Sequence, residues 1–382
     1  MLPKSMAKSN DEKFMRRALQ LARKGMGRVS PNPMVGAIIV KDGQIISEGY
    51  HAVYGEDHAE VMAIKKAKED LSGATMYVTL EPCSHFGKTP PCVDCIINAK
   101  IKRVFMGCID PDPLVHKKGY NQLKKHGIEV QIGPLEAACQ ELIAGFTKHR
   151  LKGIPLTTIK FAQSLDGRIA TTNGYSQWIS SPRSLKFAHQ LRCQNDAVMV
   201  GIGTVLADNP RLNLRLVRGI NPKRIILDSR LRIPLSSNLL NTDDTDKTYI
   251  VTTSSASHLK IEQILKLGVQ IIQTDSNEKH KIDLKRLWKQ LGREGITSLL
   301  IEGGGELITS VLKARLADRI VVAIAPRIIG QGIDAIRELG VKHLGSAINL
   351  SDVRWRRFES DMIIEGKLVY PEEARLSPCS QV

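Results

Sequence analysis

The sequence predicts an α/β fold in two domains, and three observations carry that reading. Strand-like and helix-like apolar patterns alternate through both halves, as layered α/β proteins require. A helix breaker, Gly153-Ile154-Pro155, ends a long helical stretch near the middle of the chain. The 382 residues are 42% hydrophobic and 25% charged, an ordinary globular composition. The expected domains are residues 1–152 and 153–382.

Each element has a local reason. Ser9-Asn10-Asp11-Glu12 reads as a capping box, so a helix starts there, with Phe14, Ala18, Leu21 and Ala22 on one face and Gly25 as its stop. Apolar runs at 34–40 and 45–50 flank Lys41-Asp42-Gly43, a hairpin signal. Helices are expected at 59–67, 92–100 and 120–127, alternating with strands at 74–80, 103–109 and 128–132. One long helix spans 135–151. The second half repeats the alternation, with strands at 156–162, 197–200, 224–228, 248–252, 298–301 and 319–325. Helices fall at 181–194, 284–291 and 306–316, and a β-ribbon closes the pattern at 355–370. The last residues, Glu372 to Val382, carry no motif and are expected to fray.

Composition narrows the function. No apolar run approaches the ~18 residues of a membrane helix, and Met1 to Asn10 lacks the apolar core of a secretion signal. Seven scattered cysteines are not a disulfide framework, and they fit a reducing, cytoplasmic compartment. The net charge is +16. It is spread along the chain, with 22 basic and 16 acidic residues in 1–150 and 33 and 23 in the remainder. Such a balance suits phosphorylated small molecules as well as nucleic acid.

The first half carries a metal-ligand constellation. His58-Ala59-Glu60 opens a helix, a strand ends in Thr79-Leu80-Glu81-Pro82-Cys83, and Pro91-Cys92 opens the next helix. One imidazole and two thiolates bind Zn2+ and leave its fourth position open, where water is activated. Glu60 is then free to carry protons rather than to ligate. H-x-E followed by P-C and a second Cys is the signature of zinc nucleobase deaminases. Pro91-Cys92-Val93-Asp94-Cys95 is itself a P-C-x-x-C, so Cys92 with Cys95 is a second possible thiolate pair. Cys83 with Cys92 is preferred because Cys83 directly follows the strand and its Glu-Pro.

Thr79-Leu80-Glu81-Pro82-Cys83-Ser84-His85 through Pro90-Pro91-Cys92 resembles the deaminase domain of the bifunctional riboflavin-biosynthesis deaminase/reductase (RibD, RibG) family. Ser30-Pro31-Asn32-Pro33-Met34-Val35-Gly36 resembles its substrate-binding turn. His85 and Lys88 are either contacts for a substrate phosphate or solvated loop residues. In the second half, Thr158 to Ala170, Ser176 to Ser180 and Gly201 to Pro210 resemble the family's reductase domain. Ser298 to Ile301, Glu302 and Gly303-Gly304-Gly305 form a strand, a turn and a helix start that alone would be a weak phosphate-binding signal.

The resemblance spans about residues 10 to 370. It implies a cytidine-deaminase-like three-layer α/β/α domain followed by a dihydrofolate-reductase-like α/β domain. It implies Zn2+ on His58, Cys83 and Cys92, with Glu60 catalytic. NADPH contacts would fall on Ala162, Trp178, Thr204, Asp208, Ser229, Gly304, Gly305, Glu306, Leu307, Ile308, Thr309 and Ser310. Substrate contacts would fall on Ser176, Arg192, Leu212, Arg215, Glu302 and Lys160, with Arg192 and Arg215 as phosphate clamps. Lys160 is a candidate proton donor to the sugar, with water as the alternative.

The implied reactions are deamination of 2,5-diamino-6-(5-phosphoribosylamino)pyrimidin-4(3H)-one and reduction of the ribosyl chain of 5-amino-6-(5-phosphoribosylamino)uracil to ribityl. The expected partner is this phosphoribosylaminopyrimidine small molecule, with no nucleic acid and no membrane, in a homodimer or higher homo-oligomer. The rival is an RNA-editing deaminase with a basic RNA-binding second half. That rival needs stacking aromatics, and aromatics are only 4% of the chain and unclustered.

Overall fold

The computed structural model describes residues 4–87, 90–276 and 281–371. The chain divides into two compact units, Met1–Gly153 and Ile154–Val382. The expected fraying of Glu372 to Val382 lies outside the described residues.

The first unit runs α1 (Lys4–Ala22), β1 (Gly36–Lys41), β2 (Gln44–Tyr50), α2 (Ala59–Lys66), β3 (Thr75–Val78), α3 (Cys92–Asn98), β4 (Arg103–Met106), α4 (Lys118–Lys125), β5 (Glu129–Ile132), α5 (Glu136–Leu142) and α6 (Ala144–Lys152). Among the described residues its sheet has the order β2-β1-β3-β4-β5. Strand β1 is antiparallel to both neighbours, and β3, β4 and β5 are parallel. Alternate side chains of a strand face opposite sides. Ala37 and Ile39 therefore pack with Ala59, Ala63, Val93, Ile96 and Leu123 from α2, α3 and α4. Ile38 and Val40 pack on the other face with Met15, Ala18 and Leu19 of α1 and Cys139 of α5. The result is an α/β/α sandwich. The hairpin turn is as expected: Asp42 and Gly43 both have positive φ, at 49° and 77°, which suits the twist of the flanking strands.

Two local expectations fail. Helix α1 begins at Lys4, so Ser9 to Glu12 lie inside it. No Gly or Pro interrupts Lys4 to Ala22, and Glu12 pairs with Arg16 one turn on, at 3.2 Å. The stretch at 135–151 is two helices. Ile143 leaves helical geometry with its side chain buried, and Gly145, a weak helix former, follows.

The second unit runs β6 (Leu156–Ser164), β7 (Arg168–Thr171), α7 (Pro182–Cys193), β8 (Ala197–Gly201), α8 (Ile202–Asp208), β9 (Lys223–Leu227), β10 (Thr248–Thr252), α9 (His258–Leu265), β11 (Gln270–Gln273), α10 (Leu284–Arg293), β12 (Ser298–Ile301), α11 (Gly305–Lys313), β13 (Arg319–Ala325), β14 (Gly332–Asp334), β15 (Asn349–Phe358) and β16 (Asp361–Val369). The main sheet has the order β11-β10-β9-β8-β12-β6-β13-β16-β15. It is parallel from β11 to β13, and antiparallel where β16 and β15 join. Strand β14 pairs with β7 in a separate ribbon.

One face packs Ile159, Met199, Ile225 and Leu299 against Trp288 of α10 and Ile308 of α11. The other packs Val198, Val200, Ile226 and Leu300 against Phe187 and Leu191 of α7. The fully buried Trp288 indole donates to Thr157 Oγ1 at 2.8 Å, which satisfies its one polar atom. The closing ribbon starts at Asn349, earlier than its apolar pattern indicates.

Candidate functional site

In the first unit three chain segments converge. His58 is the N-cap residue of α2, and its carbonyl accepts from Met62 N at 2.9 Å. Gly49 lets that helix lie against β2: a Cβ there would sit 2.2 Å from the Ala59 carbonyl oxygen. Cys83 follows β3 through Thr79 to Pro82. The Glu81 carboxylate, buried beneath it, accepts the N–H groups of Asp110, Lys117 and Tyr120 at 3.0–3.1 Å. Cys92 opens α3, and its N–H points to Cys83 Sγ at 3.4 Å.

His58 Nδ1 lies 3.3 Å from Cys92 Sγ and 3.5 Å from Cys83 Sγ, and the three donor atoms fall within 4.8 Å of one another. Tetrahedral zinc with one nitrogen and two sulfurs spaces its ligands roughly 3.5 Å apart, so the trio fits this metal. The hydrogen bonds from Cys92 and His58 hold the Cys83 thiol well below its ordinary range. Glu60, in the first turn of α2, is buried, and burial pushes its carboxyl up to about 7.

One neighbour has no signal in the sequence. His51 Nδ1 donates to the Asp57 carbonyl at 3.1 Å, so Nε2 accepts from Asn32 Nδ2 at 3.3 Å. Its ring meets His58 edge-on at 5.3 Å. This contact ties Asn32 to the metal-ligand group.

The second unit holds a cavity of about 1800 Å³ at the carboxyl ends of β6, β8, β9 and β12. Ser229 lies at the end of β9, with Arg230 and Arg232 beside it on the wall. Thr204 Oγ1 of α8 accepts the Gly304 N–H at 3.1 Å and so joins the β8 and β12 ends. Gly305 starts α11, and a Cβ there would lie 2.4 Å from the Asp334 carbonyl oxygen. Ser176 donates to Asp208 at 3.2 Å. A glycine turn and helix start beside basic groups fit a phosphorylated dinucleotide.

Arg192 is not a free guanidinium. It makes a two-bond pair with Glu302, Nε at 2.6 Å and Nη2 at 2.8 Å, and Nη1 donates to the Asn213 carbonyl at 3.2 Å. Lys160 lies beside this pair. Burial lowers its ammonium, Arg192 lowers it further, and Glu302 opposes.

The deaminase-like and reductase-like units match two known family descriptions. Residues 8–108 match the "Cytidine and deoxycytidylate deaminase zinc-binding region". Residues 155–364 match the "RibD C-terminal domain". Riboflavin biosynthesis protein RibD of Aquifex aeolicus is 42% identical over 360 residues, covering 94% of this chain and 99% of that protein. The chain belongs to the RibD family.

The RibD of Escherichia coli is 38% identical over 351 residues, covering 88% of this chain and 94% of that one. The solved structure of Acinetobacter baumannii RibD matches with TM-score 0.84 at 35% identity, covering 95% of this chain and 99% of that chain. A deaminase/reductase of Thermotoga maritima matches with TM-score 0.81 at 35% identity, covering 95% and 100%. As a RibD chain, the protein is a bifunctional deaminase/reductase of riboflavin biosynthesis, with a zinc-binding deaminase domain and an NADPH-using reductase domain. Its folds are the cytidine-deaminase-like and dihydrofolate-reductase-like ones that the resemblance implies.

The RibD site residues expected from sequence are placed as follows. His58, Glu60, Cys83 and Cys92 come together, and Cys95 lies outside the ligand group. Lys160, Ala162, Ser176, Trp178, Arg192, Thr204, Asp208, Leu212, Arg215, Ser229, Glu302 and the segment from Gly304 to Ser310 line the cavity, with one exception. Ile308 points into the sheet-face core and is fully buried there. His85 is exposed, and Lys88 lies outside the described residues. Among the described residues no helix is long and apolar enough to cross a membrane.

Proposed function

We propose that residues 1–152 deaminate 2,5-diamino-6-(5-phosphoribosylamino)pyrimidin-4(3H)-one, and that residues 153–382 reduce the ribosyl chain of 5-amino-6-(5-phosphoribosylamino)uracil to ribityl. These are the two activities of the Thermotoga maritima protein, a diaminohydroxyphosphoribosylaminopyrimidine deaminase and 5-amino-6-(5-phosphoribosylamino)uracil reductase. The observation that carries the reading is the His58, Cys83 and Cys92 donor group beside the buried Glu60.

In this reading His58, Cys83 and Cys92 hold zinc, and Glu60 moves the proton. Zinc supplies Lewis-acid activation of water, and NADPH supplies hydride. Water replaces the 2-amino group, leaving a carbonyl and ammonia. Glu60 takes a proton from the water and delivers it to the departing nitrogen. A carboxyl poised near neutrality suits that exchange.

In the second unit Ala162, Trp178, Thr204, Asp208, Ser229 and, from the turn and first turns of α11, Gly304, Gly305, Glu306, Leu307, Thr309 and Ser310 hold NADPH. Ser176, Leu212, Arg215 and Glu302 hold the substrate, and Lys160 gives a proton to the opened sugar. Arg215 reads the 5-phosphate. Arg192 contributes through the two N–H donors that its bonds to Glu302 and Asn213 leave over. The protein acts in the cytoplasm as a homo-oligomer, and its positive charge serves phosphates of small molecules rather than nucleic acid.

The test measures ammonia release and NADPH oxidation separately on the purified protein, each with its own pyrimidine substrate. Both activities support the reading. Either one missing removes the corresponding half of it.

A further inference from the structure

Helix α7 presents His189 and Arg192 three residues apart, and so on one face. Both reach the loop that carries Arg215. Arg192 Nη1 donates to the Asn213 carbonyl at 3.2 Å, and His189 Nδ1 accepts the Arg215 N–H at 3.1 Å. The loop's own bonds complete the frame. Leu214 N donates to Asn221 Oδ1 at 2.9 Å, and the Arg215 guanidinium donates to Asn213 Oδ1 at 3.1 Å. Leu212 sits buried at φ 52° just before this frame, a backbone state that an ordinary side chain holds only when its surroundings fix it.

His189 itself is fully buried, and its Nε2 has no partner among the described residues. Because Nδ1 accepts an amide proton, the ring's own proton sits on Nε2. An unpaired buried N–H costs free energy. The position therefore serves the one bond it does make, to the backbone of Arg215.

We infer that His189 is a positioning residue of the reductase: its Nδ1 lone pair fixes the Arg215 backbone, and through it the guanidinium that reads the substrate phosphate. This rests on the proposed role of Arg215. Burial, then the charges of Arg192 and Arg215, hold the His189 imidazole down at about 4. The lone pair is therefore present throughout the neutral range.

The experiment compares three variants in the full-length protein. His189→Asn keeps an acceptor at the Nδ1 position, while His189→Leu and His189→Gln remove it. Reductase kinetics are measured with 5-amino-6-(5-phosphoribosylamino)uracil and with its phosphate-free form, and NADPH binding is followed by fluorescence. One neutral hydrogen bond corresponds to about a three- to tenfold change in affinity. His189→Leu and His189→Gln should raise KM for the phosphorylated substrate by that factor, with kcat and NADPH affinity nearly unchanged. His189→Asn should restore KM, and none of the three should alter KM for the phosphate-free form. In Arg215→Ala, the further change His189→Leu should cost nothing more.

Equal losses for both substrates, or equal losses in His189→Asn and His189→Leu, would overturn the inference and leave Arg215 as the phosphate reader. If Arg215→Ala itself does not weaken the phosphorylated substrate selectively, the role of Arg215 fails and the inference fails with it. If His189→Leu does not fold, His189→Asn and His189→Gln decide the same question between them.

Discussion

Arg192→Ala is expected to cost stability before it costs affinity. In the folded protein the Arg192 and Glu302 side chains are only 10% and 11% exposed, and two hydrogen bonds of 2.6 and 2.8 Å join them. Truncating the arginine strands the carboxylate and takes a donor from the Asn213 carbonyl. Removing one member of a buried pair costs about 3–5 kcal/mol. For a unit of this size, each kcal/mol lowers the melting temperature by about 2–4 °C, so the reductase unit should melt about 6–20 °C earlier.

Burial alone would raise the Glu302 carboxyl, but the charge and hydrogen bonds of Arg192, helped by Lys160, bring it below its ordinary value. A lowered carboxyl stabilises the fold above its unfolded pKa and loses that contribution as pH falls through the folded value. The gap between wild type and variant should therefore be full at neutral pH and close in acid, below the usual glutamate range. Thermal denaturation followed by circular dichroism across pH reads this directly. Arg192→Met combined with Glu302→Leu should recover most of the lost stability while remaining inactive as a reductase. An unchanged melting temperature in Arg192→Ala, with affinity lost only for phosphorylated substrate, would refute the reasoning, because it would mean a guanidinium free to act as a clamp.

The metal assignment predicts about one zinc per chain by elemental analysis, lost in Cys83→Ser and in Cys92→Ser and kept in Cys95→Ser. Zinc lost in Cys95→Ser and kept in Cys83→Ser would reverse the ligand set. Glu60→Gln should keep its zinc yet lose deamination by about 10²–10⁴-fold or more, with reduction of the deaminated substrate intact; ammonia release near the wild-type rate would remove the proton-carrying role. A fragment of residues 154–382 should fold and bind NADPH more tightly than NADH, as titration of fluorescence would show, because each unit has its own core. Equal affinity for the two nucleotides would remove Ser229 and its basic neighbours from 2′-phosphate recognition.

The His58, Cys83 and Cys92 group was legible because its residues sit at element ends, within 35 positions of one another, and each carries distinctive chemistry. The hairpin was legible because Asp42-Gly43 allows essentially one turn. What could not be read depends on contacts between distant segments. Arg192 and Glu302 lie 110 residues apart, and no local pattern shows that a guanidinium is already paired. His51 looks like a strand-end residue until the fold brings it between Asn32 and His58. Helix α8 contains Gly203, Thr204 and Val205, poor helix formers, so tertiary packing rather than propensity makes it a helix. The capping box misled because a local motif marks a helix start only where the preceding residues refuse the helix.

Both units place their chemistry where strand order makes room for it. In the second unit β8 and β9 run outward from the centre, while β12 returns to lie between β8 and β6. The segments after β8, β9 and β12 leave the sheet at its carboxyl edge, and such an edge opens a crevice where the order of connection changes direction. Thr204, Ser229 and Glu302 each stand within three residues of one of those strand ends, so their convergence follows from topology rather than from sequence proximity. In the first unit the same edge of β3 and β4 delivers Cys83 and the Asp110 amide that fixes Glu81 beneath it. Reaction chemistry can then differ between the two units although the placement rule is shared. In the first unit Cys83, beyond the end of β3, meets His58 and Cys92 at two helix starts in a donor set that suits zinc, and in the second a glycine turn with basic neighbours follows β12.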